Sequence, residues 1–366
     1  MYDYLIVGAG LAGSVLAERL ASQLNAKILL VEKRNHIAGN IFDYTDENGI
    51  LVHKYGPHAF HTNSLKVSKY LSNFTGWRFY EHRVLVNQHG KEYPFPVNIN
   101  TLNMLYDLDL KNESEMQSYL DSVRIKKDVI LNSEDLVLNN VGSDIYQKFY
   151  KYYTLKQWKL PPEKLSPSVC GRIPVRFNFD DRYFTDNFQY IPDNGYTKMV
   201  QNMLNHKNIQ IAVNTDYLNV IDSVKFNKII FTGPLDLYFN YIHGKLPYRS
   251  LVFKYEYHDV EYYQKVAQVN YCSIPPDFTR VVEFKHLTGQ KAPGTTIAKE
   301  FPVSEGDPFY PIPNEENNRV FNLYKKEALK IKNLYFCGRL ADYKYYNMDQ
   351  VVARALKLFE KIAGRI

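Results

Sequence analysis

Apolar runs and amphipathic stretches alternate at the start of the chain, and their order predicts a strand, a helix and a second strand. Residues 4–7 form a short apolar run that is typical of a buried strand. Residues 14–20 carry apolar side chains at helical spacing, and residues 27–31 form a second buried run. A Gly-Ala-Gly-Leu-Ala-Gly sequence at residues 8–13 lies between the first strand and the helix.

This glycine spacing is the one that dinucleotide-binding folds require. Gly8 and Gly10 allow the backbone to approach a pyrophosphate at the helix N-terminus, and Gly13 allows the helix to pack closely. Glu32 follows the second strand, 22 residues after Gly10, where an acid accepts hydrogen bonds from ribose hydroxyls. We therefore predict the α/β fold class with a Rossmann-type domain.

FAD and NAD share this arrangement, so later segments must distinguish them. Residues 33–40 form a second glycine-containing turn, as in FAD enzymes of the glutathione-reductase and amine-oxidase type. Residues 228–234 and 333–339 are buried runs that end in Thr-Gly-Pro and Gly-Arg, and residues 348–362 have the spacing of a helix whose N-terminus could face a flavin. The pattern favours FAD. A second GxGxxG is missing, which argues against a built-in NADPH domain and for an external reductant.

The middle of the chain differs from its start in the spacing of its apolar residues. Residues from about 100 to 170 show helical spacing and few strand signals, which predicts a helical insertion. An aromatic cluster at residues 149–158 could stack a planar base, or its rings could simply pack in the core.

Two arginines lie in surroundings that suit an anionic ligand. Arg172 lies between prolines and polar residues, which predicts a mobile loop that could carry a guanidinium to a phosphate; a solvated surface arginine is the alternative. Arg280 lies on an alternating strand, on the same face as Val282 and Phe284. An arginine on an otherwise apolar face requires an anionic partner.

The composition excludes several classes of protein. The chain has 366 residues, a net charge of +6 and 23% charged residues, which suits neither a dedicated nucleic-acid binder nor a disordered chain. Its 31 Tyr and 21 Phe are an excess that suits ring stacking on a ligand. The cysteines Cys170, Cys272 and Cys337 lie far apart, so we expect no disulfide framework, no metal site and a cytoplasmic location. No apolar run approaches the roughly 20 residues that span a bilayer, so we expect no membrane insertion.

Over nearly its whole length the sequence resembles the bacterial UDP-galactopyranose mutase family. The resemblance rests on the Rossmann start and on a series of motifs whose order and spacing together are specific. These motifs lie at residues 33–40, 54–62, 153–158, 172–176, 194–197, 278–286, 309–311, 338–340 and 343–345.

The resemblance implies roles for the matching positions. The implied FAD residues are Gly8, Gly10, Leu11, Gly13, Glu32, Lys33, Asn40, His58, Ala59, Gly338, Arg339, Met348 and Asp349. The implied uridine and ribose residues are Phe149, Tyr150, Tyr153 and Trp158. The implied diphosphate residues are Arg172, Arg280, Tyr183, Tyr310 and Tyr345. His82 and Asn270 are further implied substrate neighbours, and the implied catalytic residues are Arg172, Arg280 and His61, the last beside the flavin.

The resemblance further implies an isomerase that interconverts UDP-galactopyranose and UDP-galactofuranose and supplies furanose for cell-surface polysaccharide. The implied reaction has no net redox change and runs through an adduct between N5 of reduced FAD and the sugar, with a reductant such as NAD(P)H. Alternatives are the same chemistry on UDP-N-acetylgalactosamine, a flavin oxidoreductase of the amine-oxidase type and a non-catalytic nucleotide-sugar binder. The expected partners are a UDP-sugar and a second copy of the chain, with no nucleic acid.

Three predicted domains follow from these assignments. The Rossmann-like FAD-binding domain is discontinuous and comprises residues 1–80, 191–245 and 315–366. A mainly helical substrate domain comprises residues 81–190, with a mobile loop near 165–176. An antiparallel β-sheet domain comprises residues 246–314, with strands from neighbouring segments.

Five positions depart from the residue that is usual in the family. Ala38, Lys159 and Tyr190 stand where a glycine is common. Ala59 stands where a larger aliphatic residue is common, and Asn347 where an acid is common. Because the last two border the implied flavin and sugar pocket, they leave the choice of sugar open.

Overall fold

The computed structural model describes residues 1–312 and 314–365. Within these residues the chain forms seventeen strands and eleven α-helices. The strands are β1 (Tyr2–Val7), β2 (Ile28–Val31), β3 (Asp43–Thr45), β4 (Leu51–His53), β5 (Phe60–Thr62), β6 (Trp77–Phe79), β7 (Val84–Gln88), β8 (Lys91–Phe95), β9 (Phe188–Pro192), β10 (Ile209–Ala212), β11 (Phe226–Phe231), β12 (Tyr248–His258), β13 (Gln268–Tyr271), β14 (Arg280–Glu283), β15 (Thr295–Val303), β16 (Tyr310–Pro311) and β17 (Leu334–Phe336). The helices are α1 (Leu11–Leu24), α2 (Leu65–Leu71), α3 (Ile99–Tyr106), α4 (Glu113–Val123), α5 (Ser133–Ile145), α6 (Tyr152–Trp158), α7 (Gly195–Leu204), α8 (Leu235–Tyr238), α9 (Phe284–Thr288), α10 (Glu315–Lys330) and α11 (Met348–Ile362).

A five-stranded parallel sheet contains the predicted nucleotide-binding unit. Its strand order is β10-β2-β1-β11-β17, with β1 at the centre. Both faces are buried, because alternate residues of β1 enter different cores: Ile6 packs with helices α1, α7 and α11, and Leu5 packs with Tyr217 and Phe231. The predicted strand, helix and strand at the start of the chain are confirmed, as is the helix at residues 348–362.

A seven-stranded sheet supports the other side of the site, in the order β16-β12-β15-β14-β13-β7-β8. Strands β7 and β8 lie within residues 81–190, the segment predicted to be mainly helical. Their place in this sheet agrees with the expectation that neighbouring segments contribute strands to it. The sheet is antiparallel except that β7 pairs with β13 in parallel, which differs from the purely antiparallel prediction. These two strands are joined by a long stretch of chain, so their relative direction is not constrained by a hairpin turn.

The predicted helical insertion is confirmed by helices α3 to α6. Helix α5 is interrupted at Gly142, where φ is +80° and a Cβ would lie 2.4 Å from the carbonyl oxygen of Val123. A π-helical turn, Tyr146–Lys151, follows α5 and carries Phe149 and Tyr150. The proposed domain boundaries remain predictions.

A small sheet ties these parts together. Strand β9 pairs with β5 on one side and β6 on the other, so segments before and after the helical insertion meet there. His61 of β5 lies in register with Gln189 of β9.

Throughout residues 1–312 and 314–365, each helix is too short or too polar to span a bilayer.

Two of the three departures from glycine fall at left-handed backbone positions. Ala38 has φ +71° and is fully buried, and Lys159, the C-cap of α6, has φ +51°. Glycine is favoured at such positions because it has no Cβ to clash with the backbone. Tyr190 differs, because it lies within the extended strand β9, with its ring centroid 4.0 Å from that of Phe188 and the two rings tilted by 36°.

Candidate active site

The turn between β1 and α1 is shaped for the close approach of a ligand. A Cβ at Gly8 would lie 2.2 Å from Thr232 Oγ1, and a Cβ at Gly13 would lie 2.0 Å from the Gly8 carbonyl oxygen, so neither position accepts a side chain. At Gly10 the nearest described atom to an added Cβ is the Gly39 Cα, at 3.8 Å. The protein therefore leaves room at Gly10, at the N-terminus of α1, where a pyrophosphate would bind.

Glu32 stabilises this turn through two hydrogen bonds, and its carboxylate can accept more. Its Oε2 accepts a hydrogen bond from the Ala9 amide at 2.9 Å, and its Oε1 accepts one from the Arg34 amide at 3.0 Å. Each carboxylate oxygen has a second lone pair, so both can also accept from ribose hydroxyls. Leu11 is the first residue of α1 and is buried.

The loop between β15 and β16 contacts the second glycine-containing turn, residues 33–40, through Asp307. Asp307 contacts Lys33 Nζ at 3.1 Å and Arg34 Nη2 at 3.0 Å, and Arg34 also donates to Asn40 Oδ1 at 2.9 Å. Burial raises the pKa of Asp307, but Lys33 and Arg34 outweigh it and lower the pKa below its usual value. The predicted residues Lys33 and Asn40 thus lie together at the Glu32 end of the turn.

The ring of His58 packs against His53 and Tyr196 and leaves one nitrogen available to a bound group. Its Nδ1 is buried and has no hydrogen-bond partner among the described residues. The pKa of His58 is lowered to about 3, first by burial and then by electrostatic repulsion from His53 and Arg339, so the ring is neutral at physiological pH. A neutral ring nitrogen without a protein partner fits the polar edge of a flavin. Ala59 follows it and is partly buried against the core.

The last strand and helix bring a second set of predicted residues to the same place. Strand β17 leads to Gly338, whose φ of +118° only glycine adopts readily, and helix α11 begins at Met348. Asp349 Oδ2 accepts a hydrogen bond from Thr62 Oγ1 at 3.0 Å, so the N-terminus of α11 lies against β5 beside His61. A helix N-terminus stabilises electron-rich groups, which suits a reduced flavin.

The predicted mobile loop reaches across to this end of the site. The guanidinium of Arg172 stacks on the ring of Tyr345 and donates from Nη2 to Asn347 Oδ1 at 2.9 Å. Asn347 is the N-cap residue of α11, and its amide donates to Gln350 Oε1 at 3.0 Å. Arg172 is exposed to solvent, but its guanidinium has these two defined contacts, and its contact with a phosphate remains a prediction.

Two stacked phenols lie among the arginines. The rings of Tyr310 and Tyr345 stack with centroids 4.9 Å apart, and the Arg339 guanidinium carbon lies 5.5 Å from the first and 5.2 Å from the second. Burial raises the pKa of Tyr345, but Arg172 and Arg339 lower it by more, so it lies below the usual tyrosine value. Arg339 itself is held by Tyr346, whose carbonyl accepts from Nη2 at 2.7 Å.

Arg280 has the anionic partner that its position requires, but the expected apolar face is wrong. Its guanidinium donates to both carboxylate oxygens of the buried Glu300, at 2.8 and 2.9 Å, because the two residues are cross-strand neighbours in register. Nη1 lies 3.5 Å from Gln268 Oε1. Gln268 Nε2 donates to Asn270 Oδ1 at 2.9 Å, so the neighbours of Arg280 are polar. Strand β14 ends at Glu283, before the supposed face partner Phe284, which begins α9.

The two predicted histidines line one wall with aromatic neighbours. His61 stacks on Phe184 with ring centroids 3.6 Å apart, and its Nδ1 lies 2.8 Å from Asp186 Oδ2. His82 is buried, with Tyr183 at 5.5 Å in an edge-on arrangement and Phe184 at 5.9 Å. Burial, followed by Arg280, lowers the pKa of His82 to about 3. Burial raises the pKa of Tyr183 to about 12, opposed by Arg280 and Arg172, so its phenol remains a donor.

The aromatic cluster separates into core and site. Phe149 and Tyr150 are buried, and pack 5.8 Å from Tyr93 and from Phe95 respectively. Burial raises the pKa of Tyr153, and the nearby charge of Arg280 opposes this rise. Trp158 ends helix α6 and is half-buried. Their contact with a base remains a prediction.

Several residues of the site escaped the sequence reasoning. These are Gln268, Glu300, Phe184, Asp186 and Lys156. Glu300 carried a signal, since it is an acid within an apolar strand, but the arginine that it faces depends on strand register. Phe184 and Asp186 carried none, because they reach His61 only through the pairing of β5 with β9.

Two family models match the chain. The UDP-galactopyranose mutase model covers residues 148–345, which include the loop arginine, the sheet arginine and the phenol pair. The model of an NAD(P)-binding Rossmann-like domain covers residues 6–74, which include the glycine turn. FAD, the predicted cofactor, is supported by the second match together with the first.

Full-length relatives agree with these matches. The chain is 36% identical to a dTDP-fucopyranose mutase from Escherichia coli, over 98% of this chain and 97% of the relative. It is 34% identical to a protein described as a probable UDP-galactopyranose mutase from Klebsiella pneumoniae, over 100% of this chain and 95% of the relative. In fold it is similar to a crystal structure of reduced UDP-galactopyranose mutase, with a TM-score of 0.80 and 17% identity over 100% of this chain and 96% of the other.

The resemblance first seen in short motifs therefore extends over the whole chain and its fold. Because a family model covers more than half of the residues and relatives above 30% identity cover nearly all of them, the protein is an enzyme that belongs to the UDP-galactopyranose mutase family.

Proposed function

We propose that the protein is an FAD-dependent isomerase that interconverts the pyranose and furanose forms of UDP-galactose. One observation carries the proposal: the guanidinium groups of Arg172 and Arg339 lie over the stacked phenols Tyr310 and Tyr345, and Arg280 acts on the same pair electrostatically. Positive charge and neutral donors combined in a partly buried site suit a diphosphate.

The departing diphosphate develops negative charge when its bond to the sugar breaks. Arg280 is fixed by Glu300 through Nε and Nη2, and its Nη1, which makes only a long 3.5 Å contact with Gln268 among the described residues, can donate to the ligand without movement of the side chain. Arg172 lies on a loop, so it can open for substrate and then close with its planar guanidinium against a phosphate. The phenols of Tyr183 and Tyr310 can donate to the phosphate oxygens, and the closed loop excludes water.

FAD is the group whose chemistry the reaction requires. The glycine turn, Glu32 and the unpaired Nδ1 of His58 fit its pyrophosphate, ribose and flavin parts in turn. When bound and reduced, it supplies an electron-rich ring nitrogen that can act as the nucleophile at the anomeric carbon of the sugar. His61 is held by Asp186 beside this part of the site, where it can orient the sugar.

A second substrate has a specific observation in its favour. The Escherichia coli relative at 36% identity is named a dTDP-fucopyranose mutase, and it covers the chain as fully as the UDP-galactopyranose mutases do. Helix α6, here called the base-binding helix because it carries the predicted base contacts Tyr153 and Trp158, and the two departures Ala59 and Asn347 are compatible with either nucleotide sugar. The second candidate is therefore interconversion of the two ring forms of dTDP-fucose.

The test is turnover by purified protein reduced with dithionite. UDP-galactofuranose, dTDP-fucofuranose and the N-acetylated UDP-sugar are incubated separately, and the products are separated by chromatography. Under anaerobic conditions we expect the pyranose from UDP-galactofuranose, with the flavin still reduced when the reaction ends. Faster turnover of the fucose compound would replace the proposed substrate, and no pyranose from any of the three would contradict the mutase proposal.

We further propose a cytoplasmic homodimer reduced by an external NAD(P)H. Cys170, Cys272 and Cys337 form no disulfide within the described residues, which supports a reducing compartment. Sedimentation of the purified protein tests the dimer, and bleaching of the flavin absorbance by NADH or NADPH under anaerobic conditions tests the reductant.

A further inference from the structure

A buried lysine on the base-binding helix makes an unusual set of contacts. Lys156 lies in α6, and its side-chain ammonium donates hydrogen bonds only to backbone carbonyls among the described residues. The four acceptors are the carbonyl oxygens of Tyr271 at 2.7 Å, Ser273 at 3.0 Å, Pro276 at 3.0 Å and Phe278 at 2.8 Å.

Burial of this ammonium costs free energy that its hydrogen bonds must offset. An ammonium has three N–H donors, so four acceptors within 3.0 Å require at least one donor to be shared. Burying a cation away from water is unfavourable without full compensation. The carbonyls that surround Lys156 all come from one turn of the chain, and they converge on the ammonium.

That turn connects the two substrate-facing strands of the large sheet. Residues 271–279 join β13, which carries Asn270, to β14, which carries Arg280. Asn270 and Arg280 are cross-strand neighbours in register. Helix α6 also carries Tyr153, three residues before Lys156 and one turn away on the same side of the helix.

We propose that Lys156 is a positioning residue that holds the base-binding helix and the Arg280 hairpin at a fixed separation, so that one nucleotide diphosphate can contact both. The inference rests on the proposed function, since it assumes that the base and the diphosphate bind to these two elements. Lys156 touches neither substrate nor cofactor in this arrangement and acts only through the carbonyls.

The protonation of Lys156 makes the proposal testable by pH. Burial lowers the pKa of Lys156 to about 8; Asp277 of the facing turn opposes this effect, and Lys159, the C-cap of α6, adds to it. Burial raises the pKa of Cys272 to about 12, so that thiol stays neutral. Above about pH 8 the neutral amine keeps two N–H donors and can no longer hold four carbonyls.

The chain offers a matched control in Lys285. This lysine is also buried, and its ammonium donates to the carbonyls of Glu261, Ala292 and Gly294, none of which is a predicted site residue. Lys156→Met and Lys285→Met therefore remove the same group from similar surroundings. Only the first should disturb the nucleotide site.

The experiment measures the dissociation constant of UDP and the kcat and KM of the reduced holoenzyme for both variants. We expect Lys156→Met to weaken UDP binding roughly tenfold or more, because displacement of a positioned charge by about 1 Å has effects of this size. Lys285→Met should change UDP binding by less than about twofold while lowering thermal stability to a similar extent. Equal effects on UDP binding would overturn the proposal.

A second measurement decides the matter if Lys156→Met does not fold. In Tyr345→Phe protein, which lacks the other group expected to titrate nearby, UDP affinity should fall as pH rises through about 8. An affinity that stays constant from about pH 7 to about pH 9 would overturn the proposal. Wild-type turnover is measured first, so a failure of the proposed function is recognised separately as absence of product from the unaltered enzyme.

Discussion

The guanidinium carbon of Arg172 lies 3.6 Å from the centre of the Tyr345 ring. Arg172 also donates a hydrogen bond to Asn347, so both contacts of its guanidinium join the loop to the segment before α11. Both partners belong to the segment that leads into α11, so the position of the loop is coupled to the helix N-terminus beside Thr62 and His61. The arginine can leave without breaking any backbone pairing.

Arg172→Ala should impair turnover without affecting stability. We expect kcat/KM of the reduced enzyme to fall roughly 100-fold, which is typical for removal of one group that stabilises developing charge. Arg172→Lys should lose about tenfold, because an ammonium keeps the charge but lacks the planar guanidinium that stacks flat on Tyr345 and presents two parallel N–H groups to a phosphate. Steady-state assays measure both. Lys164→Ala, an exposed change in the same segment, is the control, and unchanged turnover in Arg172→Ala would exclude the loop arginine from the reaction.

Arg280→Ala should abolish turnover and also destabilise the protein, because Glu300 would remain buried without its partner. A loss of about 3–5 kcal/mol is usual when one member of a buried ion pair is removed. The double variant Arg280→Ala/Glu300→Gln should regain part of the stability and none of the turnover. Urea unfolding and product assays separate the two effects.

Arg176→Ala provides the comparison for Arg280. Arg176 is buried, and its Nη2 donates to the Tyr183 carbonyl oxygen at 3.0 Å while its Nη1 lies 3.4 Å from Asp180 Oδ2. Arg176 therefore supports Tyr183, a predicted substrate residue. It is not part of the group formed by the arginines and phenols at positions 172, 280, 310, 339 and 345. We expect a smaller loss of kcat/KM than in Arg280→Ala, and equal losses in soluble, folded proteins would contradict the assignment of Arg280.

Tyr345 should make UDP binding sensitive to alkaline pH. Burial raises the pKa of its phenol and the nearby arginines lower it by more, so the folded-state pKa lies below the usual value of about 10. Above that pKa the unliganded protein carries a tyrosinate, which repels a diphosphate. UDP affinity should therefore be retained below the Tyr345 pKa and fall as pH rises through it.

Titration of UDP binding from about pH 7 to about pH 10, with tyrosinate absorbance recorded in parallel, measures this effect. Tyr345→Phe should remove the component that coincides with tyrosinate formation. Tyr310→Phe should keep it, because burial, followed by Tyr345, raises the pKa of Tyr310. If the component that coincides with tyrosinate absorbance survives in Tyr345→Phe and disappears in Tyr310→Phe, the two roles are reversed.

The left-handed residue Lys159 should be a site where glycine stabilises the protein. Replacing it by glycine removes a backbone penalty of about 1–2 kcal/mol and adds an entropic cost of about 0.5–1 kcal/mol. We expect a net gain of roughly 0.5 kcal/mol for Lys159→Gly, measured by urea unfolding, and no gain for Ala38→Gly, which also loses a fully buried methyl group worth about 0.8 kcal/mol. Lys357→Gly, at an exposed position within α11, should instead cost about 1 kcal/mol. A destabilised Lys159→Gly would show that its side chain makes a compensating contact.

The nucleotide-binding unit could be predicted because its information is local. Gly8, Gly10, Gly13 and Glu32 lie within one strand, one turn, one helix and a second strand, and each element is specified by spacing along the chain. The helix that begins at Met348 was equally predictable from its apolar spacing. These features need no knowledge of how distant segments pair.

The charged site was different, since contacts between strands decide it. Whether Arg280 faces an apolar surface or Glu300 depends on the register of β14 and β15, and a shift of one residue would replace that carboxylate with another side chain. The four carbonyls around Lys156 lie more than 100 residues further along the chain, in a turn that only the folded sheet brings to α6. The sequence by itself determined the cofactor fold and the residue types of the site; the tertiary structure decided which charges are paired, because a partner in space is not encoded by spacing along the chain.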